Sequence, residues 1–486
     1  DGSFLPAASS GRSVLLQAAG LFLRSVRGHR TLPSLEGRTP VITQPTLALA
    51  IALALVTMVV PRKYFIMPYV VAACFAPADQ RIIIADLDFS VLRILVVVGT
   101  LRILCSDDGK PVRFNAFDKL VITWAVVGAF VYVLQWGTLG AFINRSGFLF
   151  DSIGMYWLFR KTITKLDDIR QLGRILAVCS LVMVVLVAFE WTSGHNPFTV
   201  MGRVGTTVRE GEYRCQASFP HAIMLGLFWA TAVPLFLGLW KFEGRAWLYM
   251  AATAASVFIV IATASSTPLL TLLIVLGFFF LFRYRRYGRQ AAWTLLAMTV
   301  ALHIVMKAPV WHLIARVNVI GGSTGWHRYH LINEAINHFS EWAMLGTRAT
   351  VHWGWGLQDI TNQYILEGVR GGLITLILFV VLLVRAVARV GAASLRQMSP
   401  GHQWLLWGIC VSILGHCISF LGVSYFGQII LLLYMTYAIV GWVFSGPKEL
   451  RLEEALTVYR LEHQKGCGRI DHHRQLEHAR HPARLP

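Results

Sequence analysis

Residues 219–282 read FPHAIMLGLFWATAVPLFLGLWKFEGRAWLYMAATAASVFIVIATASSTPLLTLLIVLGFFFLF, three apolar runs parted by two short polar breaks. The runs 219–240, 246–263 and 267–282 each approach the length, about 20 residues, that a helix needs to cross a hydrocarbon core. Backbone in lipid must satisfy its own hydrogen bonds, so runs of this kind read as spanning helices. Working outward, ten further runs qualify: 44–60, 64–78, 82–104, 117–136, 145–160, 171–191, 291–310, 371–389, 403–423 and 426–444. The expectation is an all-α polytopic membrane protein with about 12–13 transmembrane helices and no repeat relating its halves.

The composition excludes an ordinary soluble protein. The chain is 56% hydrophobic and only 14% charged, with a mean hydropathy of +0.58, against roughly 25% charged residues in soluble domains. A net charge of +19 invites nucleic-acid binding. The basic residues, however, lie in inter-helix connections and tails, the positive-inside pattern of an inner membrane protein, and no nucleic-acid partner is expected. Seven cysteines are scattered without paired spacing, mostly inside apolar runs, and read as small core residues. No cleavable signal peptide is apparent, because the stretch Ser13–Val26 is broken by Gln17 and Arg24.

Lysines and arginines set the orientation. The connections Arg160–Arg174, RYRRYGR (283–289) and Arg385–Arg396, with the tail 446–486, belong to the cytoplasm. The loops Thr192–Ser218, Ser265–Thr267, Trp311–Arg370 and Ser424–Tyr425 then face outward. The alternation fails near the N-terminus. Counting back puts the basic segment 1–43 outside, so either 64–78 does not span fully or 13–30 adds an interfacial helix. The chain therefore divides into 1–43, helices over 44–310, an outward loop 311–370, helices over 371–445 and a basic tail. Within the large loop, Leu331, Ile332, Ala335, Ile336, Phe339 and Trp342 follow the rhythm of an amphipathic helix over Tyr329–Trp342.

Candidate chemistry gathers in the two long outward loops. Arg214, in YRCQASFPH, reads either as an arginine snorkelling at a membrane entry or, with Arg203 and Arg209, as part of an anion site. The guanidinium binds phosphate oxygens bidentately and stays charged when partly desolvated, which favours phosphate chemistry. Arg328, in STGWHRYHLINEA with His327 and His330, is either a solvated surface charge or a second such group. Segment 354–373, GWGLQDITNQYILEGVRGGL, brings Asp359, Asn362 and Tyr364. Asp359 can serve as a general base or merely cap a helix. Inside apolar runs, Asp86, Asp88, Arg93 and Asp151 are costly and so candidate functional groups. If 82–104 is helical, Asp86 and Arg93 share a face, while Asp86 and Asp88 point apart and make a poor metal pair. The tail histidines His472, His473, His478 and His481 read as a basic end held by anionic lipid.

Taken together, the arginine before Ser-Phe-Pro-His (218–221), Ala-Ser-Ser-Thr (264–267), Gly-Trp-His-Arg (325–328), and Gly-x-Gly with Asn-x-Tyr (354–364) resemble the O-antigen ligase and polysaccharide polymerase superfamily over residues 80–445. The resemblance implies a GT-C-like membrane glycosyltransferase of the bacterial inner membrane, with a large periplasmic catalytic loop. It would take glycan from an undecaprenyl-pyrophosphate donor and pass it to a growing glycan, a lipid-linked acceptor or lipid A core, without metal or cofactor. Polysaccharide-assembly proteins are possible partners beside membrane lipids. The resemblance places Arg214 and Arg328 on the donor pyrophosphate. Arg203, Arg209, Arg93, His221, His327, His330, His352, Asn362 and Tyr364 are the further substrate-binding candidates. Two positions depart from the family pattern. Thr361-Asn362 stands where ligases often carry His-Asn, and Ser266-Thr267 where they often carry Ser-Arg. The missing imidazole leaves Asp359, His352 or no base at all, and tilts the expectation from ligase to exopolysaccharide or O-antigen polymerase. The competing classes are a transporter of an anionic or lipid-linked solute and a structural subunit of a synthase. Solute transport without glycan product would decide for the first, and glycan elongation by the purified protein would exclude the second.

Overall fold

The computed structural model describes residues 42–84, 87–106, 114–203, 205–209, 211–244, 246–316, 325–397 and 399–446. The segment 1–41, Asp86, Cys467 and the tail with its histidines lie outside the described residues. Helices dominate. In chain order they are α1 Gln44–Val59, α2 Met67–Phe75, α3 Val91–Cys105, α4 Ala116–Trp136, α5 Leu139–Leu149, α6 Met155–Thr162, α7 Leu166–Ser193, α8 Ala222–Glu243 and α9 Ala246–Ala262. They continue with α10 Ser266–Phe280, α11 Gly288–Val305, α12 Gly325–Asn337, the short α13 Phe339–Trp342, α14 Gln363–Arg396, α15 Pro400–Gly422 and α16 Ile429–Ser445. Two antiparallel hairpins complete the architecture: β1 Arg81–Ile84 with β2 Leu87–Ser90, and β3 Thr207–Arg209 with β4 Glu212–Arg214.

Among the described residues, six helical stretches are long and apolar enough to cross a membrane: Ala116–Trp136, Leu166–Ser193, Ala222–Glu243, Ser266–Val305, Gln363–Arg396 and Pro400–Gly422. Three shorter apolar helices accompany them, Gln44–Val59, Trp247–Ala262 and Ile429–Ser445. This is an all-α polytopic architecture with fewer full-length helices than the thirteen apolar runs. The stretch 266–305 is interrupted by a 3-10 segment, Leu281–Tyr287, and the chain reverses there. Thr267, at its start, and the 3-10 turn Val310–Arg316, just past its end, both contact α12.

Two expected spans need correction. Run 64–78 yields only the nine residues of α2, about 13 Å of helix, with Pro68 in its first turn and Pro77 just beyond its end. Run 82–104 is a β-hairpin followed by α3, so Asp86 and Arg93 do not share a helix face. Arg93 instead pairs with Asp151, its Nε and Nη2 donating at 2.7 and 2.5 Å. Asp151 sits in a π-helical turn, Phe150–Gly154, that joins α5 to α6. Such turns displace one residue from the regular ladder and recur at functional places. The amphipathic helix expected over Tyr329–Trp342 is broken at His338. Leu331, Ala335 and Trp342 are buried in a small separate core with Trp353, Leu357 and Val369, while Ile336 and Phe339 are exposed.

Helix α8 is the axis of the bundle, buried along nearly its whole length. On α15, glycines recur every seven residues, at 401, 408, 415 and 422. A Cβ added at Gly408 would lie 2.4 Å from the carbonyl oxygen of Pro234 and 3.1 Å from the Cα of Gly238. One at Gly415 would meet Val275 and Thr231, and one at Gly401 would meet Phe242. Without a hydrophobic drive between helices in lipid, such backbone approach supplies the packing. At one end of the bundle, buried carboxylates receive basic residues. Glu243 accepts from Arg170 and Arg174, and Asp118 from Arg160. The candidate site lies at the other end, separated by the length of α8, about 33 Å.

Candidate functional site

The loop between α7 and α8 is built around one buried carboxylate. Glu190, fully buried near the end of α7, accepts from the backbone N–H of Gln216 (3.2 Å) and Ala217 (2.9 Å) and from the Thr206 hydroxyl (3.0 Å). Asn196 donates to the Ala217 carbonyl. These bonds hold Ala217 at φ +48°, a left-handed conformation that side-chain-bearing residues enter at a cost of order 1 kcal/mol or more. The β3–β4 hairpin sets Thr207 opposite Arg214 and Arg209 opposite Glu212. The N–H of Cys215 then bonds the carbonyl of Ala262 at 3.1 Å, fastening the loop to the end of α9.

The turn that follows α9 receives both arginines. Arg214 Nη2 donates to Ser265 Oγ at 2.8 Å, and Arg328 Nη2 donates to Thr267 Oγ1 at 2.7 Å. Two residues of chain span at most about 7 Å, so guanidiniums 114 positions apart in sequence meet on one turn. Ala264, just before it, is the other non-glycine residue with positive φ, +43°. The turn is also the N-terminus of α10, whose unpaired N–H groups and dipole add positive potential. Arg328 Nε donates to the carbonyl of Gly422 at 3.1 Å, and a Cβ at Gly422 would come within 3.5 Å of that nitrogen. The glycine stripe of α15 thus ends where it lets Arg328 in.

Arg214 and Arg328 form no ion pair with a described carboxylate, and Arg214 Nε is buried without a partner. Burial, then the like charge of Arg209, pulls both guanidiniums below their ordinary pKa. Arginine nonetheless stays protonated. The charge is held in an environment that disfavours it.

His221 caps α8, its Nδ1 accepting from the N–H of Ile223 at 3.1 Å. Its pKa is lowered, first by burial and then by Arg214 and Arg203, with Asp359 opposing. With Nδ1 accepting, the neutral ring carries its proton on Nε2 and is a donor there. His327 Nε2 lies 3.4 Å from the Asp359 carbonyl oxygen, and a Cβ at Gly354 would lie 3.0 Å from His330 Nε2. Asn362 caps α14 and donates to the carbonyl of Leu421 at 3.0 Å, and the Tyr364 hydroxyl bonds that of Cys417 at 2.9 Å. Thr361 Oγ1, beside Asn362, is buried without a partner.

Arg214, Arg328, Arg209, His221 and Asp359 therefore come together, with His327, His330, Asn362 and Tyr364 around them. Three candidates do not join. Arg203 is buried, ion-paired with Asp79, and donates to the Phe219 carbonyl at 2.8 Å, a structural tie. His352 is held by Glu341 at 2.8 Å on an exposed flank. Arg93 lies in a neighbouring cavity, bound to Asp151. Sequence reasoning missed Glu190, a lone carboxylate near the end of an apolar run and so open to detection. It also missed the Ser265 and Thr267 hydroxyls as the arginines' common anchor.

The sequence matches no protein-family model and no curated protein. The case for function rests on this geometry and on the motifs.

Proposed function

We propose that this protein is a glycosyltransferase of the O-antigen ligase and polysaccharide polymerase kind, acting at the periplasmic face of the bacterial inner membrane. It would polymerise or transfer undecaprenyl-pyrophosphate-linked oligosaccharide. The observation that carries the reading is the convergence of Arg214 and Arg328, both without acidic partners, on the turn Ser265–Thr267. A diphosphate at headgroup depth needs two bidentate cations at a membrane boundary, and a pair of arginines on a helix N-terminus supplies that chemistry.

In this reading the bond between the sugar anomeric carbon and the diphosphate oxygen breaks, its electron pair leaving with the diphosphate. Arg214 and Arg328 stabilise the growing negative charge, and neutral His221 donates Nε2–H to the same anion. The acceptor hydroxyl oxygen bonds the anomeric carbon and its proton passes to the Asp359 carboxylate, close enough to His221 to perturb it. The test is elongation of an undecaprenyl-pyrophosphate glycan by purified protein in liposomes. Arg214→Lys and Arg328→Lys, each keeping charge but losing the fork, should slow it by about tenfold or more. Normal product from either folded variant would remove that arginine from the mechanism.

A further inference from the structure

Behind the candidate site lies a cavity of about 360 Å³, within the size range of small-molecule pockets. The two share a wall. Asn362 faces the arginine site while Gln363 lines the cavity, and Pro220 lines the cavity beside His221. The cavity wall carries four arginines, 81, 93, 145 and 370, and three carboxylates, Asp79, Asp151 and Glu367. Each carboxylate is already engaged. Asp151 holds Arg93 and Asp79 holds Arg203, while Glu367 accepts from Trp124 Nε1 at 3.0 Å and Gln363 Nε2 at 2.8 Å.

Arg81 and Arg93 are engaged as well, which leaves Arg145 and Arg370 against Glu367 alone. Arg145, on α5, is only 7% exposed, and Arg370, on α14, is exposed. Neither forms an ion pair with a described residue. Arg145 Nε is buried without a partner, and its guanidinium lies 3.7 Å over the Tyr132 ring, fixed in place by an aromatic face rather than by an acid. Two guanidiniums that share one carboxylate beside an open cavity leave an excess of positive charge, which an arriving anion would balance. Trp124, Phe148, Phe379 and Leu433 add an apolar face, beside the polar side chains of Ser90, Thr375, Tyr425, Gln428 and Tyr434.

We propose that this cavity binds an amphipathic phosphate ester, its phosphate against Arg145 and Arg370 and its apolar part against Trp124, Phe148 and Phe379. The site is distinct from the Arg214–Arg328 pair, and the proposal does not depend on the transfer reaction. Its source is a lipid headgroup rather than free phosphate, because Trp124, Phe148 and Phe379 offer an apolar tail a face that a hydrated ion does not use.

The experiment is calorimetric titration of the full-length protein in dodecyl maltoside with n-dodecyl phosphate and, separately, inorganic phosphate. The wild-type protein should bind dodecyl phosphate saturably and inorganic phosphate about tenfold more weakly or not at all. Arg145→Gln and Arg370→Glu, each also made in an Arg214→Gln background that silences the donor site, should weaken dodecyl phosphate about tenfold or more. Arg370 is exposed, so its variant keeps the test valid if Arg145→Gln fails to fold. Unchanged affinity in Arg370→Glu melting like wild type would overturn the site. So would a loss confined to Arg214→Gln, and equal affinity for inorganic phosphate would overturn the lipid assignment.

Discussion

Arg214 and Arg328 differ from five other described arginines in what they lack. Arg93, Arg160, Arg170, Arg174 and Arg203 each hold a carboxylate, and these two hold hydroxyls. Beside them His221 makes the site's electrostatics measurable. Its pKa is depressed by burial and by Arg214 and Arg203, so the unfolded chain binds its proton more readily than the native one. Its contribution to stability is full above the ordinary value of 6.5 and is lost as pH falls below that value toward the native pKa. Protonation also destroys the Nδ1 acceptor that caps α8. The wild-type melting temperature should therefore drop between pH 7 and pH 5 by more than that of His221→Asn, which keeps a cap and does not titrate. Equal drops would mean that His221 is not held neutral.

At the scale of elements, the glycines of α15 set how closely it approaches α8, and hence where Gly422 meets Arg328. Gly408→Ala places a methyl group 2.4 Å from a backbone carbonyl and should cost about 1–3 kcal/mol, read as a lower melting temperature. Gly277→Ala, with nothing within 4 Å of its added Cβ, should be neutral or gain up to about 1 kcal/mol from helix propensity. If both behave alike, the stripe is not a packing device. Element types were legible where apolar runs were long, as in α4, α8 and α15. They misled in RIIIADLDFSVLRIL (81–95), where an unbroken apolar run hid a hairpin. The consecutive β-branched isoleucines were the available signal. Prolines at 61, 68 and 77 likewise marked α2 as short. Arg214 and Arg328 were legible as candidates from their place in outward loops. That Arg203 is tied down by Asp79 was not, because the pairing spans 124 residues and leaves no local trace. Arg145 passed unnoticed within an apolar run, since its isolation is a property of neighbours brought from α4 and α14.

For the molecule as a whole, the bundle separates two tasks along its length. One end clamps basic connections with the buried acids Asp118 and Glu243. The other carries the half-buried Arg214 and Arg328, without a described acidic partner, on an assembly of loop, turn and helix ends, with a second arginine-lined cavity behind a shared wall. In the proposed function these cations hold an anion presented from the bilayer. The most direct measurement is the affinity of the purified protein, in phosphatidylcholine nanodiscs, for undecaprenyl pyrophosphate. The wild-type protein should bind it, and Arg214→Lys and Arg328→Lys should each weaken binding about tenfold or more, roughly 1.4 kcal/mol. A folded Arg214→Lys or Arg328→Lys protein that binds undecaprenyl pyrophosphate as tightly as wild type would contradict the account.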